Sequence, residues 1–273
     1  MRLEIEYEIF MISCRQDPAG RMNLLLVSKR VSEWIIPILY EVIDVAADIP
    51  RFKDPPLEVF QRYGRHVKHM MFFDVGTGLS HINQESIIQL CPNVSDLVLW
   101  FGSVTTFEIF NLHLNRLTIP PFPDESDKFE TLARGLQKTD EEKYRKWCES
   151  VTHFAWPTIS LSGCQLLCEF PNLTHFLMGD WDGDVQGIVD YMVKWCKGLK
   201  VLVVLLGKMP DLDTAKPYVH DSWDDVVFGD VRVVIIERYY VLDWIEGAKG
   251  RDDLWEVAER TVEERRNRVS ESS

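Results

Sequence analysis

Residues 94–99 read VSDLVL, and residues 173–178 read LTHFLM. Both follow one rule: an apolar residue, two variable ones, apolar, variable, apolar. The rule recurs as VKHMMF from Val67, LNRLTI from Leu114, VTHFAW from Val151, LKVLVV from Leu199 and VRVVII from Val231. Successive starts lie 27, 20, 37, 22, 26 and 32 residues apart. Alternation at the end of each unit is the period of a strand. Helix-like segments precede some of the units, QESIIQLCPN before Val94 and DVQGIVDYMVKWCKG before Leu199. A helix, a turn and a short strand make a unit that cannot bury its own apolar face, so stacking is expected.

Several of these spacings fall in the 20–29-residue window of leucine-rich repeats. The fold class expected is therefore α/β, with an irregular solenoid that resembles a leucine-rich-repeat domain over residues 44–250. Position eight after the unit start holds Gly102, Trp181 or Gly207, not the Asn that would form a ladder at the turns. Uneven curvature follows. The long spacing contains PPFPDESDKFETLARGLQKTDEEKYRK, and residues 120–147 read as an insertion loop that a protease should cut first. Residues 251–273 read as an amphipathic helix from about Asp252, with Leu254, Trp255, Ala258 and Val262 inward, closing the end of the stack before a frayed tail. The competing architecture is an ordinary α/β domain with parallel strands between helices.

Strand alternation assigns faces. The second and third apolar positions of each unit point to the core, and the residues between them point outward. The outward face then displays His69, Phe73, Asp96, Trp100, Arg116, His153 and His175, which we take as the candidate substrate-binding set. Exposed aromatic residues with Arg are frequent interface anchors. The alternative is that a loop or the C-terminal segment covers this face. Leu97 and Leu99 are expected to be buried.

The N-terminal region has a different character. In MNLLLVSKRVSEWIIPILYEVI, residues 22–43, Leu24, Val27, Val31, Trp34 and Ile35 form one helical stripe, with Asp17-Pro18 as its start and Pro37 as its end. Leu25, Leu26, Ile36 and Ile38 lie off that stripe, so more than one surface must cover the helix. EIEYEIF (4–10) followed by DPAGRMNLLLVSKRVSEWIIPILYEV (17–42) resembles an F-box of the fungal type. The shared features are Glu-Ile, an Ile-Phe pair, a Leu-rich run, Val-Ser-Lys-Arg and Pro-x-Leu-Tyr. Met1 and Arg2 stand where that pattern opens with Leu-Pro. The resemblance implies an F-box-like helical module over residues 1–43 that docks on a Skp-type adaptor of a cullin-based ubiquitin ligase through Ile5, Ile9, Phe10, Leu24, Leu25, Val27 and Trp34. The protein substrate would bind the solenoid. The alternative is an interaction scaffold whose box binds nothing.

Composition narrows the partners. The net charge is −13, with 43 acidic against 30 basic residues among 273. Nucleic-acid affinity comes largely from Lys and Arg neutralising phosphates, so a nucleic-acid partner is not expected. The longest aliphatic run, Val201 to Leu206, is too short to span a bilayer, and the start lacks the features of a signal peptide. A cytoplasmic or nuclear location is expected, with all six Cys as reduced thiols. Catalysis, cofactors and metals are not expected. DVGTGLSH (74–81) lacks the third glycine of a dinucleotide loop, and DWDGDVQG (180–187) leads to Tyr191 where a calcium loop needs Glu. Cys164 and Cys168 lack a second ligand pair, and the three His at one repeat position lie in units far apart in sequence.

Overall fold

The computed structural model describes residues 3–17, 20–44, 57–72, 81–99, 107–119, 123–179, 185–205, 218–219, 228–237 and 240–271. Among these, nine strands join in one sheet. They are β1 (Val42–Asp44), β2 (His69–Phe72), β3 (Asp96–Leu99), β4 (Arg116–Thr118), β5 (His153–Ala155), β6 (His175–Gly179), β7 (Val201–Leu205), β8 (Tyr218–Val219) and β9 (Val233–Glu237). The spatial order is β1-β2-β3-β4-β5-β6-β7-β9-β8. Every pairing is parallel except that of β8 with β9.

From β1 to β7, backbone hydrogen bonds tie each strand to the next, one residue before the strand begins. The Glu41 carbonyl accepts from the amides of both Lys68 and His69, the Lys68 carbonyl from Ser95 and Asp96, and the Ser95 carbonyl from Asn115 and Arg116. The same double acceptance continues at Asn115, Thr152 and Thr174. Side chains lie close to the same groups: the hydroxyls of Thr152 and Thr174 are 3.1 and 3.2 Å from the Asn115 and Thr152 carbonyl oxygens. Asn93 and Asn172 amides donate across units to the Arg65 and Glu149 carbonyls, each at 2.7 Å. The turns therefore satisfy their backbone groups without an asparagine ladder, as buried polar groups must.

One face of the sheet packs on helices α4 (Leu57–Tyr63), α5 (His81–Leu90), α6 (Pro123–Thr139), α7 (Glu141–Ser150), α8 (Leu161–Leu167) and α9 (Val185–Trp195). Its core holds Met70, Phe72, Leu97, Leu99, Leu117, Phe154, Phe176, Met178, Leu202 and Val204. These are the inward positions expected from alternation, Leu97 and Leu99 included. The last unit differs by one residue. Val233 and Ile235 face these helices, whereas the pattern from Val231 would have sent Val234 and Ile236 there. In a run that is apolar on both faces, alternation carries no register information.

The expectation of an F-box-like helical module followed by a leucine-rich-repeat solenoid is corrected by the other face. It is not an open binding surface. Helices α10 (Tyr240–Ala248) and α11 (Leu254–Glu271) lie on it, so one continuous α/β sheet is covered on both sides. Met71, Val98, Ala155, Leu177, Val201, Val203, Val234 and Ile236 are buried there with Trp244, Leu254, Trp255, Ala258 and Val262. The C-terminal helix crosses the sheet instead of closing the end of a stack. The physical reason is the apolar character of β7 and β9 on both faces, typical of parallel strands that need cover on each.

The insertion loop expected at residues 120–147 is also corrected. Residues 123–139 and 141–150 are helices, joined at Asp140, whose Oδ1 accepts from the Lys143 amide at 3.0 Å. Phe129, Ala133 and Leu136 fall at i, i+4 and i+7 and are buried with Tyr144 and Trp147. Charges occupy the opposite side.

The N-terminal stretch folds as α1 (Leu3–Gln16), the short α2 (Arg21–Leu24) and α3 (Lys29–Leu39). The expected single helix from Asp17 is therefore broken. The Asp17 carboxylate accepts from the Gly20 amide at 3.0 Å, and Ser28 caps α3 by accepting from Val31 at 3.2 Å. Pro37 sits within α3, not at its end. Cys14, Val31 and Ile35 form a small separate core, with Phe10, Leu24, Leu25, Trp34, Ile38 and Leu39 packed on it. Arg30 pairs both Glu6 oxygens at 2.6 Å, and Tyr7 meets Trp34 edge-on at 5.3 Å.

Candidate functional site

Strand pairing aligns one position across the sheet. His69 is opposite Asp96, Asp96 opposite Arg116, Arg116 opposite His153, and His153 opposite His175. Five of the seven predicted substrate-binding residues thus form one continuous polar row. Phe73 and Trp100 lie outside the described residues.

The row is only partly open to solvent: Asp96 and His175 are buried, while His69, Arg116 and His153 are half-buried. Each member meets its neighbour or the C-terminal helices. Trp244 on α10 donates its indole N–H to Asp96 Oδ1 at 2.9 Å, and Asp96 Oδ2 faces His69 Nδ1 at 3.2 Å. Arg116 Nη1 donates to Asp253 Oδ2 at 2.5 Å. Asp253 also caps α11. Its other oxygen accepts from the Glu256 amide while Glu256 accepts from the Asp253 amide, a reciprocal arrangement at the start of that helix. His175 Nε2 meets Glu259 Oε1 at 2.8 Å, and the Thr174 hydroxyl meets His175 Nδ1 at the same distance. A neutral ring that donates Nε2–H to the carboxylate leaves Nδ1 to accept from the threonine. His153 stacks on His175 at 4.0 Å, and Trp255 presses edge-on against both rings at 5.4 and 5.7 Å. Farther along, Arg265 Nη1 donates to the Val233 carbonyl at 2.6 Å.

Burial governs the charge of the two histidines. Loss of water holds His153 far below the usual imidazole range, at about 2, and the nearby His175, Arg116 and Lys200 push the same way. His175 is lowered by burial too, against the pull of Glu259 toward protonation. Both rings are neutral near pH 7. The unfolded chain binds the proton that the folded ring refuses. This contribution to stability is therefore complete above the unfolded value of 6.5 and is lost as pH falls toward the folded one. For His153 the loss is expected to reach up to about 1.4 kcal/mol per pH unit. Denaturant unfolding at pH 7.5 and pH 5.0 measures it. His153→Phe should flatten the slope, and a wild-type stability that is level across that range contradicts the assignment.

A cavity of about 270 Å³ remains at one end of the row, lined by His69, Ser95, Asp96, Arg116, Arg251 and Glu256 among others. Its polar groups are largely partnered: Arg116 pairs with Asp253, Arg251 with Glu246, and His69 meets Asp96. The Ser95 hydroxyl donates to the Lys68 carbonyl, 3.5 Å away. The row is thus a polar clamp that aligns α10 and α11 on the sheet. Sequence reasoning missed the partners Trp244, Asp253, Trp255 and Glu259. The unbroken apolar runs VLVVL (201–205) and VVII (233–236) were the available signal that the second face needed a cover. Among the described residues, no group of three or more His, Cys, Asp or Glu is placed to hold a metal ion. None of the described helices is long and apolar enough to cross a membrane.

The seven predicted adaptor-binding residues divide. Phe10, Leu24, Leu25 and Trp34 are half-buried on the small N-terminal core. Ile5, Ile9 and Val27 are 52%, 48% and 55% exposed. They belong to a larger exposed apolar set with Leu3, Ile12, Met22 and Leu26. Exposed apolar patches of this kind mark interaction sites. No protein-family model matches this chain, and no curated protein matches it.

Proposed function

We propose that the protein is a non-catalytic adaptor whose N-terminal helices dock a Skp-type adaptor of a cullin-based ubiquitin ligase, bringing a protein substrate to it. The observation that supports this reading is the exposed apolar surface of residues 3–27. Both faces of the sheet are covered, yet the helices before it keep Ile5, Ile9 and Val27 in water. These positions lie in the stretch that resembles a fungal F-box. Much of the polar row is engaged by α10 and α11, so substrate contact is assigned to other surfaces. The cytoplasm or nucleus, where such ligases work, is the compartment this reading requires.

Leu25 and Trp34 are poor probes, because their truncation would also loosen the helices. The exposed positions separate binding from folding. Ile5→Ser, Ile9→Ser and Val27→Ser combined are expected to weaken binding to a Skp-type adaptor by about 30-fold or more. The thermal melt should stay near wild type, since exposed substitutions away from the core cost about 0.5 kcal/mol or less each. Binding of purified proteins, followed by calorimetry, measures the first and a thermal melt the second. Equal affinity in wild type and variant, or no binding by either, rules the reading out.

A further inference from the structure

Two thiols meet on the helical side of the sheet. Cys168 is the C-cap of α8, its amide bonded to the Cys164 carbonyl at 3.1 Å. Cys196 follows the last residue of α9, its amide bonded to the Met192 carbonyl at 2.9 Å. Both helix ends are fixed by their own backbone bonds, and they bring Sγ of Cys168 to 2.6 Å from Sγ of Cys196. We propose that Cys168 and Cys196 form an oxidisable dithiol, closed to a disulfide by a hydroperoxide and reopened by a thiol reductant.

The two sulfurs are not equivalent. Cys168 is half-buried, whereas Cys196 is buried with its Sγ 3.7 Å from the Met192 sulfur. The hydrogen bond from Cys196 holds the Cys168 thiol below its usual range, and the same contact with burial pushes Cys196 up. A thiolate is the nucleophile in this chemistry, so Cys168 reacts first. Burial pushes Cys91, Cys148 and Cys164 up to about 12 and raises Cys14, which leaves those thiols protonated and inert.

The Cys168 thiolate attacks one peroxide oxygen. The O–O bond breaks, an S–O bond forms, and hydroxide (from hydrogen peroxide) or alkoxide (from an organic hydroperoxide) leaves and takes a proton to become water or an alcohol. The sulfur of Cys196 then attacks the Cys168 sulfenic acid. The S–S bond forms, the S–O bond breaks, and the departing hydroxide combines with the Cys196 proton as water. Two thiols are oxidised by two electrons and one peroxide is reduced. The product ties the end of α8 to the end of α9 and joins two neighbouring units of the sheet. In a reducing compartment the pair rests as thiols and closes only under oxidant.

The test uses the full chain treated with hydrogen peroxide, then unfolded, alkylated and weighed by mass spectrometry. The six alkylatable thiols should fall to four, with one cross-linked peptide joining Cys168 to Cys196, and dithiothreitol should restore all six. Cys196→Ser should halt at a Cys168 sulfenic acid that dimedone traps, while Cys168→Ser should keep its remaining thiols. The oxidised wild type should melt about 5 °C or more above the reduced one, because a cross-link restricts the unfolded chain. A persistent count of six, a link from Cys168 to Cys164, or loss of two thiols in Cys168→Ser overturns the proposal.

Discussion

Trp255→Ala is expected to lower the stability of the protein by about 3–5 kcal/mol, the cost of emptying a large buried aromatic site. Trp255 is 6% exposed and sits in the core between α11 and the sheet. It also presses edge-on against His153 and His175 and shields them from water in part. Its loss should therefore have a second effect, since rehydrated rings return toward their ordinary value and the stability becomes less dependent on pH between 5 and 7.5. Trp195→Ala is the matched control. That ring is 54% exposed, and its truncation should change stability by about 0.5 kcal/mol or less. Urea unfolding of both variants at two pH values decides the matter. A cost for Trp255→Ala below about 1 kcal/mol would mean that α11 does not cover the sheet as described.

Phe129→Ala is expected to cost a similar amount, about 3–5 kcal/mol. Phe129 is fully buried and meets Trp156 at 5.3 Å and Phe154 at 5.7 Å, both nearly edge-on, with Trp147 tilted beside it at 6.2 Å. Trp147 in turn touches Phe110 and Phe170. One ring from α6 thus knits an aromatic cluster that spans several units. An insertion loop would tolerate this change with little effect. Limited proteolysis gives an independent readout: residues 123–150 should resist cleavage in the wild type and become early sites in the variant. Rapid cutting there in the wild type would restore the loop.

The misreading of that segment has a local cause. The first ten residues, PPFPDESDKF, are rich in Pro and charge, and they outweighed the periodic Phe129, Ala133 and Leu136 that follow. The signal was present at i, i+4 and i+7. The N-terminal break is of the same kind: Ser28 has the chemistry of an N-cap, but the apolar stripe from Leu24 to Ile35 runs through it.

Where the strands fall was legible from the residues alone. Each of the seven recurring stretches carries a strand, from β2 to β7 and β9, because alternation of apolar side chains is a short-range pattern. The facing of Leu97, Phe154 and Phe176 came with it. At β9 both alternate sets are apolar, and only the neighbours on each side decided that Val233 and Ile235 face one layer and Val234 and Ile236 the other. The position His69–Asp96–Arg116–His153–His175 was also visible as a recurring place in the pattern, but its fate was not. Its partners come from 84 to 148 residues away along the chain, Glu259 for His175, Asp253 for Arg116 and Trp244 for Asp96. The amphipathic order of Leu254, Trp255, Ala258 and Val262 says that α11 has an apolar side. It does not say what that side lies against, because hydrophobic burial is non-directional and any matching surface would satisfy it. Tertiary packing made the choice, pairing those residues with the one large apolar sheet face still uncovered and meeting each buried charge of the row with a partner.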